Sequence, residues 1–356
     1  MLVTLISCIL ILFSILPFVQ HQHWIFRVPE FLKLQILILQ TIAFALLFFF
    51  RDKDTVFWTV QLLQLLLIGY HLYILSRYTK FWRTPYIQKS KSASEPIKII
   101  ACNVYQDNRQ HHRFVELIQR ERPDIVLTME SDTHWEQALR ELESIYPYVQ
   151  KVTLDNTYGM HFYTRLKIIN IQTHYFVADD IPSIEAELES KDGHRFVFFG
   201  VHPPPPSPTE EETSKERDGD LLSVAKRVRG YNLPVLVAGD FNNVAWAKSS
   251  ILFRKTSELI DARIGRGVLS TFHAKYWFFR VPLDLLFHSP QLFIDQLNIL
   301  SSIGSDHFPV SCTFHIDRQS DEQEERIEEL ENDEMQEVNE LIQEGKEENS
   351  DNRSSE

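Results

Sequence analysis

The sequence predicts an α/β layered domain, its strands packed face to face, behind a set of N-terminal membrane helices. Three observations lead there. The first 75 residues hold three apolar runs, each near the ~20 residues that a bilayer crossing needs. From residue 97 to 316 strand-like runs alternate with helical patterns in mixed order, the pattern of layered domains. The apolar strand runs also end repeatedly in an acid, an amide or a histidine, which gathers polar groups at strand ends.

Residues 1–76 are assigned to three transmembrane helices. Met1 to Phe18 is almost wholly apolar, Phe31 to Phe50 is broken only by Lys33 and two glutamines, and Thr55 to Leu75 precedes Ser76-Arg77-Tyr78. The second and third runs are separated only by Arg51-Asp52-Lys53-Asp54, which predicts a helical hairpin. Trp24, Phe26, Trp58, Tyr70 and Tyr73 fall toward the ends of these runs, where an aromatic belt sits. The competing reading of the first run is a secretory signal peptide. It lacks a basic start and a small-x-small cleavage site, so a multi-pass membrane location is preferred. Arg77, Lys80, Arg83, Lys89 and Lys91 follow the third run, against Arg51 and Lys53 in the short loop. That asymmetry leans slightly to a cytoplasmic domain, although long domains cross regardless of charge.

Residues 77–95 are basic, Ser-containing and aperiodic, a linker by composition. Residues 96–316 then carry the layered domain. Ile97 to Val104 reads as a strand, Arg113 to Arg120 as a helix with Phe114, Leu117 and Ile118 on one face, Asp124 to Met129 as a strand, and Trp135 to Ile145 as a helix. Four strand-like runs follow at 158–165, 167–176, 183–188 and 195–201. Pro203-Pro204-Pro205-Pro206-Ser207-Pro208 cannot enter a sheet ladder. Leu221 to Val228 is helical, and Leu233 to Ala238, Leu283 to Phe287 and Phe308 to Ile316 are the last strands. No internal repeat is evident.

The charge is unevenly placed. Residues 317–356 hold 17 acids against 4 bases, which accounts for the whole net charge of -13; the remaining chain is balanced at 32 of each. A domain that grips nucleic acid nonspecifically usually shows a basic excess, so nucleic acid is a disfavoured partner. The acidic tail, with Ile327, Leu330, Met335, Val338 and Leu341 among its glutamates, favours a solvated, disordered tail by composition. A weakly amphipathic helix that docks a protein partner is the sharper alternative. Cys8, Cys102 and Cys312 show neither metal spacing nor a disulfide framework.

The polar strand ends carry the chemistry. Ile97-Lys98-Ile99-Ile100-Ala101-Cys102 ends in Asn103, and Asp124-Ile125-Val126-Leu127-Thr128-Met129 in Glu130. Phe196 to Val201 ends in His202, and Leu236-Val237-Ala238-Gly239 in Asp240 with Asn242 two residues on. Asp284 lies in the run Leu283-Asp284-Leu285-Leu286, and Asp306 and His307 immediately precede Phe308-Pro309-Val310. One buried carboxylate is costly, and several together need a compensating cation. Glu130, Asp240, Asp284 and Asp306 with Asn103 and Asn242 form an all-oxygen set. Such a set suits Mg²⁺ or Mn²⁺ rather than zinc, and those ions also partner phosphate oxygens. His202 and His307 are placed to donate to a phosphoryl oxygen that gains charge, and Asp284 to hold His307 oriented and protonated. Singly, each of these residues reads equally well as a turn former or a hydrogen-bonded structural group; six coincident strand ends do not.

The ordered series Asn103, Pro-Asp-Ile-Val-Leu-x-x-Glu at 123–130, His202, Gly-Asp-Phe-Asn at 239–242, Asp284 and Ser-Asp-His at 305–307 resembles the endonuclease/exonuclease/phosphatase superfamily. The resemblance spans about 97–316. It implies a two-sheet α/β sandwich, deoxyribonuclease-like, with the site at the strand ends. It further implies Glu130 as the principal Mg²⁺ ligand, assisted by Asn103 and Asp306. Asp240 would orient or deprotonate the attacking water, Asn242 would help hold the phosphate, and His307 paired with Asp284 would stabilise the pentavalent transition state. His202 matches a second histidine of the deoxyribonuclease and sphingomyelinase branches. Leu285 after Asp284, Ser270-Thr271-Phe272-His273 without a following proline, and Ala245-Trp246-Ala247 depart from the pattern at positions that bear on substrate more than on catalysis.

The expectation is therefore a membrane-anchored, Mg²⁺-dependent phosphoric ester hydrolase acting on a phosphodiester or phosphomonoester. A membrane-associated nuclease and a non-catalytic scaffold on the same fold are the alternatives.

Overall fold

In a computed structural model of the chain, residues 1–50, 52–82, 94–317 and 322–348 are described. The linker expectation and the basic residues Arg51, Arg83, Lys89 and Lys91 lie wholly or largely outside them.

The first apolar run forms α1 (Leu2–Ile15), 14 residues long, closed by a short 3-10 turn containing Pro17. At 1.5 Å per residue it reaches about 21 Å, short of the ~30 Å hydrocarbon layer. A short amphipathic helix, α2 (Trp24–Phe31), not anticipated from the sequence, leads into α3 (Lys33–Phe50) and α4 (Thr55–Ser76). Among the described residues, α3 and α4 are long and apolar enough to cross a membrane, while α1, expected as a further span, is shorter. Asp54 caps α4 by accepting from the Phe57 N–H at 2.7 Å, and α1 packs against both longer helices. Ile38, Leu39, Ile42, Leu62, Leu65 and Leu66 are exposed, which is unlike the core helix of a water-soluble domain.

The remaining elements build a sandwich. In chain order they are β1 (Ile97–Asn103), α5 (His111–Glu121), β2 (Ile125–Met129), α6 (Thr133–Leu139), β3 (Tyr148–Val152), β4 (Met160–Thr164), β5 (Lys167–His174), β6 (Ser183–Glu189) and β7 (Arg195–Val201). After these come α7 (Lys215–Arg229), β8 (Val235–Asp240), α8 (Lys248–Ser257), β9 (Ile260–Asp261), β10 (Asp284–His288), β11 (Leu292–Ile299), β12 (Val310–Ile316) and α9 (Asn332–Glu347). One sheet runs β11-β12-β1-β2-β4-β3 and the other β5-β6-β7-β8-β10-β9.

The inner faces interdigitate through Ile99, Leu127, Phe162, Phe198, Leu236 and Phe314, all buried. Phe162 and Phe198 stack across the layers with ring centroids 5.4 Å apart. Alternate residues face outward: Ile100, Cys102 and Val126 bury against Phe114, Leu117 and Trp135 of α5 and α6. On the other sheet Val197, Phe199 and Val237 bury against Leu221 and Val224 of α7 and Phe253 of α8.

The topology decides where the polar strand ends go. Among the described residues the only parallel pair in each sheet is central, β1 with β2 and β7 with β8, so the C-terminal ends of all four strands lie along one edge of the sandwich. Their outer partners β12 and β10 run antiparallel and therefore begin at that edge. Asp284, the first residue of β10, sits opposite Asp240, the last of β8. Six distant segments converge because of strand direction alone.

The N-terminal helical segment is docked on this sandwich. Leu37, Leu75 and Tyr78 belong to the same apolar cluster as Val237 and Trp246. The Trp246 indole N–H donates to Glu30 O at 2.8 Å. The acidic tail is also packed down, where composition favoured a solvated one. In α9, Val338 is buried with Leu222 and Leu252 beneath Leu330, Leu341 and Ile342. Lys255 holds Glu334 at 2.7 Å, Lys215 holds Glu348 at 2.7 Å, and Lys226 and Lys248 reach Asn339 and Glu337.

Candidate active site

The convergent edge opens into a cavity of about 440 Å³. Asn103, Glu130, His202, Asp240, Asn242, Asp306 and His307 all line it. Asp284 stands behind His307, its Oδ2 2.8 Å from the imidazole Nδ1. Thus all eight residues singled out from the sequence come to one place.

Their contacts form one network. Asn103 donates through Nδ2 to Glu130 Oε1 at 2.7 Å and to Asp240 Oδ2 at 3.1 Å. Its own Oδ1 accepts from the Tyr105 N–H at 3.0 Å. The second Glu130 oxygen accepts from the Gln106 N–H at 3.0 Å. Asp240 Oδ1 accepts from the Asn242 N–H at 2.9 Å, while Oδ2 lies 3.5 Å from His307 Nε2 and 3.8 Å from His202 Nε2. Ser305 ties the opposite sheet in: its hydroxyl donates to Asn103 O at 2.8 Å and accepts from the His307 N–H at 3.0 Å.

Two of these residues are held in the left-handed backbone region, Glu130 at φ 61° and Asn242 at φ 46°. Such conformations persist where surrounding structure enforces them and cluster at functional sites. Gly239 has a different reason. A Cβ built there would stand 2.0 Å from Val201 O, so only glycine lets β8 approach β7 just before Asp240.

The electrostatics separate the two histidines. Burial opposes charge on His307, but Asp284, Asp240 and the Asp284 hydrogen bond outweigh it and push its pKa up to about 10. His202 is equally buried, and with Asp240 as its acidic neighbour and His307 opposing it, its pKa falls to about 4. His307 is a cation at neutral pH and His202 is neutral. Burial raises the Glu130 carboxyl to about 7; the bonds from Asn103 and Gln106 work against this, and Asp306 adds to it. Burial likewise raises Asp284, with His307 opposing.

A carboxyl pushed up by burial and by a second acid marks a site short of positive charge. Glu130 and Asp306 line the cavity with Asn103, whose amide oxygen accepts from the Tyr105 N–H here; carboxylate and amide oxygens suit a hard divalent cation. Asp240, Asp284 and His307 also present donor atoms within 4.8 Å of one another. There, however, the Asp284–His307 contact is already a direct hydrogen bond, so that group reads as an orienting pair.

Several lining residues carried no signal in the sequence. Val28, Phe31 and Leu32, from α2 and the residue after it, form part of the wall, as do Tyr105, Tyr158 and Phe272. The proline segment supplies Pro205 and Pro206, with Glu210 accepting from the Tyr158 hydroxyl at 2.7 Å. Asn242 spends one amide hydrogen on Pro203 O at 3.0 Å, so it also anchors this segment.

A family model described as the endonuclease/exonuclease/phosphatase family matches residues 100–307, more than half of the chain. The chain belongs to this family. Its members are hydrolases of phosphoesters. The fold is shared with D. rerio TDP2 in complex with a single-strand DNA product (18% identity, TM-score 0.53, covering 62% of this chain and 99% of that one). It is also shared with a Bacteroides vulgatus family protein (19%, 0.52, 63% and 100%) and with the human Nocturnin catalytic domain (20%, 0.51, 62% and 94%). At these identities the likeness is one of fold. No match was found among curated proteins.

Proposed function

We propose that this family member is a membrane-anchored, Mg²⁺-dependent phosphoesterase that hydrolyses a phosphodiester or phosphomonoester by attack of water on phosphorus. The observation that carries the reading is the buried Asp284–His307 pair, 2.8 Å apart, in which the second imidazole nitrogen, Nε2, lies at the cavity 3.5 Å from Asp240. A preorganised cationic donor in a buried site is what stabilises charge that grows on a phosphoryl oxygen.

Each residue then has a task that its contacts support. Asp240 keeps one oxygen oriented by the Asn242 N–H; the other, which accepts from Asn103 Nδ2 at 3.1 Å and lies beside His307 and His202, would take the proton from water. Neutral His202, beside the same oxygen, adds a second hydrogen-bonding group without competing for charge. His307 donates to the phosphoryl oxygen, and Asp284 holds its tautomer and its proton. Glu130, Asp306 and Asn103 would hold the divalent cation, which when bound neutralises phosphate charge and polarises the phosphoryl group. Manganese suits the same donors. The exposed apolar faces of α3 and α4 support multi-pass membrane attachment, with the domain on the cytoplasmic side as the slight preference.

The test is hydrolysis of bis(p-nitrophenyl) phosphate by the full chain in detergent. Activity with Mg²⁺ that disappears in EDTA, in Asp240→Ala and in His307→Ala is expected. Equal rates in all four conditions would make the domain a scaffold. Plasmid cleavage that exceeds ester hydrolysis and falls steeply with salt would make it a nuclease.

A further inference from the structure

The cavity lining is chemically mixed: beside the polar site residues it includes Val28, Phe31, Leu32, Phe279, Val281 and Leu283. A site for a free sugar phosphate or a nucleotide would meet its ligand with polar groups on most sides. Here the phosphorus chemistry abuts a hydrocarbon surface.

That surface leads toward the bilayer. Val28, Phe31 and Leu32 run directly into α3, one of the two helices able to cross a membrane. Gln35, in the first turn of α3, donates to Arg280 O at 3.0 Å. This ties the start of the membrane helix to the segment that carries Phe279 and Val281.

The same segment projects aromatic side chains into solvent. Tyr276 is 51% exposed, Trp277 79% and Phe278 62%. They form one short turn between Lys275 and Arg280. Lys275 Nζ lies 5.7 Å from the centre of the Tyr105 ring at the cavity wall. Consecutive exposed aromatics flanked by bases are costly in water but suit the headgroup layer. There, aromatic rings sit at the boundary and bases meet lipid phosphates.

We infer that the Tyr276–Phe279 turn seats in the bilayer that holds α3 and α4, and that the substrate is a lipid phosphoester, its phosphate at His307 and its hydrocarbon along the Val28–Leu32 wall. The inference rests on the phosphoesterase reading and supplies its substrate class. It also commits the turn to one partner, the lipid surface.

The experiment compares two probes on the full chain reconstituted in nanodiscs. One is water-soluble bis(p-nitrophenyl) phosphate; the other is phosphatidylglycerol or phosphatidic acid within the disc lipid. The variant is Trp277→Ser with Phe278→Ser, both exposed and outside the catalytic set. The expected result is a loss of tenfold or more in lipid hydrolysis, with hydrolysis of the soluble ester unchanged within about twofold. A second readout needs no turnover: brominated lipid should quench wild-type fluorescence more than that of Trp277→Phe. Soluble-ester hydrolysis without lipid hydrolysis, or equal losses on both probes, would overturn the inference and leave the phosphoesterase reading standing. Equal quenching of the two proteins would also overturn it. Hydrolysis of neither probe would refute the phosphoesterase reading itself.

Discussion

Replacing Asp284 by asparagine tests the electrostatic arrangement of the site most directly. The substitution keeps shape and a hydrogen-bonding oxygen 2.8 Å from His307 Nδ1 but removes the charge that offsets burial. His202 is the internal control. Buried in the same cavity, with Asp240 3.8 Å away as its acidic neighbour, it falls to about 4. His307 without Asp284 is left in a similar position, with Asp240 at 3.5 Å. Its pKa should therefore drop from about 10 to below the ordinary histidine value, leaving a neutral ring at about pH 7.5. Losing one preorganised donor to transition-state charge costs roughly 2.7–4 kcal/mol, or about 10²–10³ in kcat. The pH profile should change with it. In the parent, activity should fall on the alkaline side as pH approaches the His307 value of about 10; in the variant that fall should move to acid pH. Measuring kcat and KM for a soluble phosphodiester from about pH 5 to 10 at saturating Mg²⁺, with the Tm of each protein, separates this from misfolding. A kcat within about threefold of the parent and an unmoved alkaline limb would refute the assignment of His307 as the cationic donor.

Four further outcomes follow from the same geometry. Glu130→Gln should lower activity by about 100-fold or more at fixed Mg²⁺, consistent with several kcal/mol of metal-borne stabilisation; a Mg²⁺ titration shows whether excess ion restores it. Gly239→Ala places a Cβ 2.0 Å from Val201 O and should cost about 3 kcal/mol, or roughly 6–12 °C in Tm. Val338→Asp should release α9, because Val338 is buried against Leu222 and Leu252; limited proteolysis should then remove the tail. Burial lowers His161 to about 4, below the unfolded value, so its neutral form stabilises the fold fully above about pH 6.5. That contribution is lost as pH falls through about 4, a change on the order of 3 kcal/mol, and His161→Gln should flatten Tm against pH over that window.

What was legible in the sequence was what a single residue type or a short period reports. The strands at 97–103, 195–201 and 284–288 are largely apolar because both faces of each are buried, so the polar residue at the site end of each run is conspicuous. Two strands whose pattern is interrupted were not read. β3 is an edge strand whose Tyr148 is exposed, and β11 breaks its alternation at a bulge between Ile294 and Gln296. α8 went unread because Ser249, Ser250, Arg254 and Thr256 are buried polar residues on what would be its apolar face. The expected helix at 135–145 ends at Leu139, and a 3-10 segment, Arg140–Ser144, continues it. The tail misled for a related reason. Its charge was counted as solvated, but Lys215, Lys226, Lys248 and Lys255 on α7 and α8 face it. A balanced charge elsewhere in the chain does not show which surface holds its bases.

The eight polar site residues and part of the apolar lining of the cavity come from different parts of the chain, and this bears on how the cavity is shaped. All eight site residues lie inside the stretch that matches the family model, 100–307. Val28, Phe31 and Leu32 lie outside it and still line the cavity. They are fixed there by contacts that run both ways: Glu30 O accepts from Trp246, Glu212 O accepts from the Trp24 N–H at 3.0 Å, and Gln22 O accepts from the Ser214 N–H at 2.8 Å. Tyr78 packs edge-on against Trp246 at 5.4 Å. Cutting the chain before β1 would keep the acids and histidines but uncover Trp246 and remove one wall of the cavity. Burial is what depresses His202 and what gives the His307 cation its strength. The shape of the cavity and the electrostatics of its histidines thus both depend on an N-terminal helical segment that contributes none of the eight site residues.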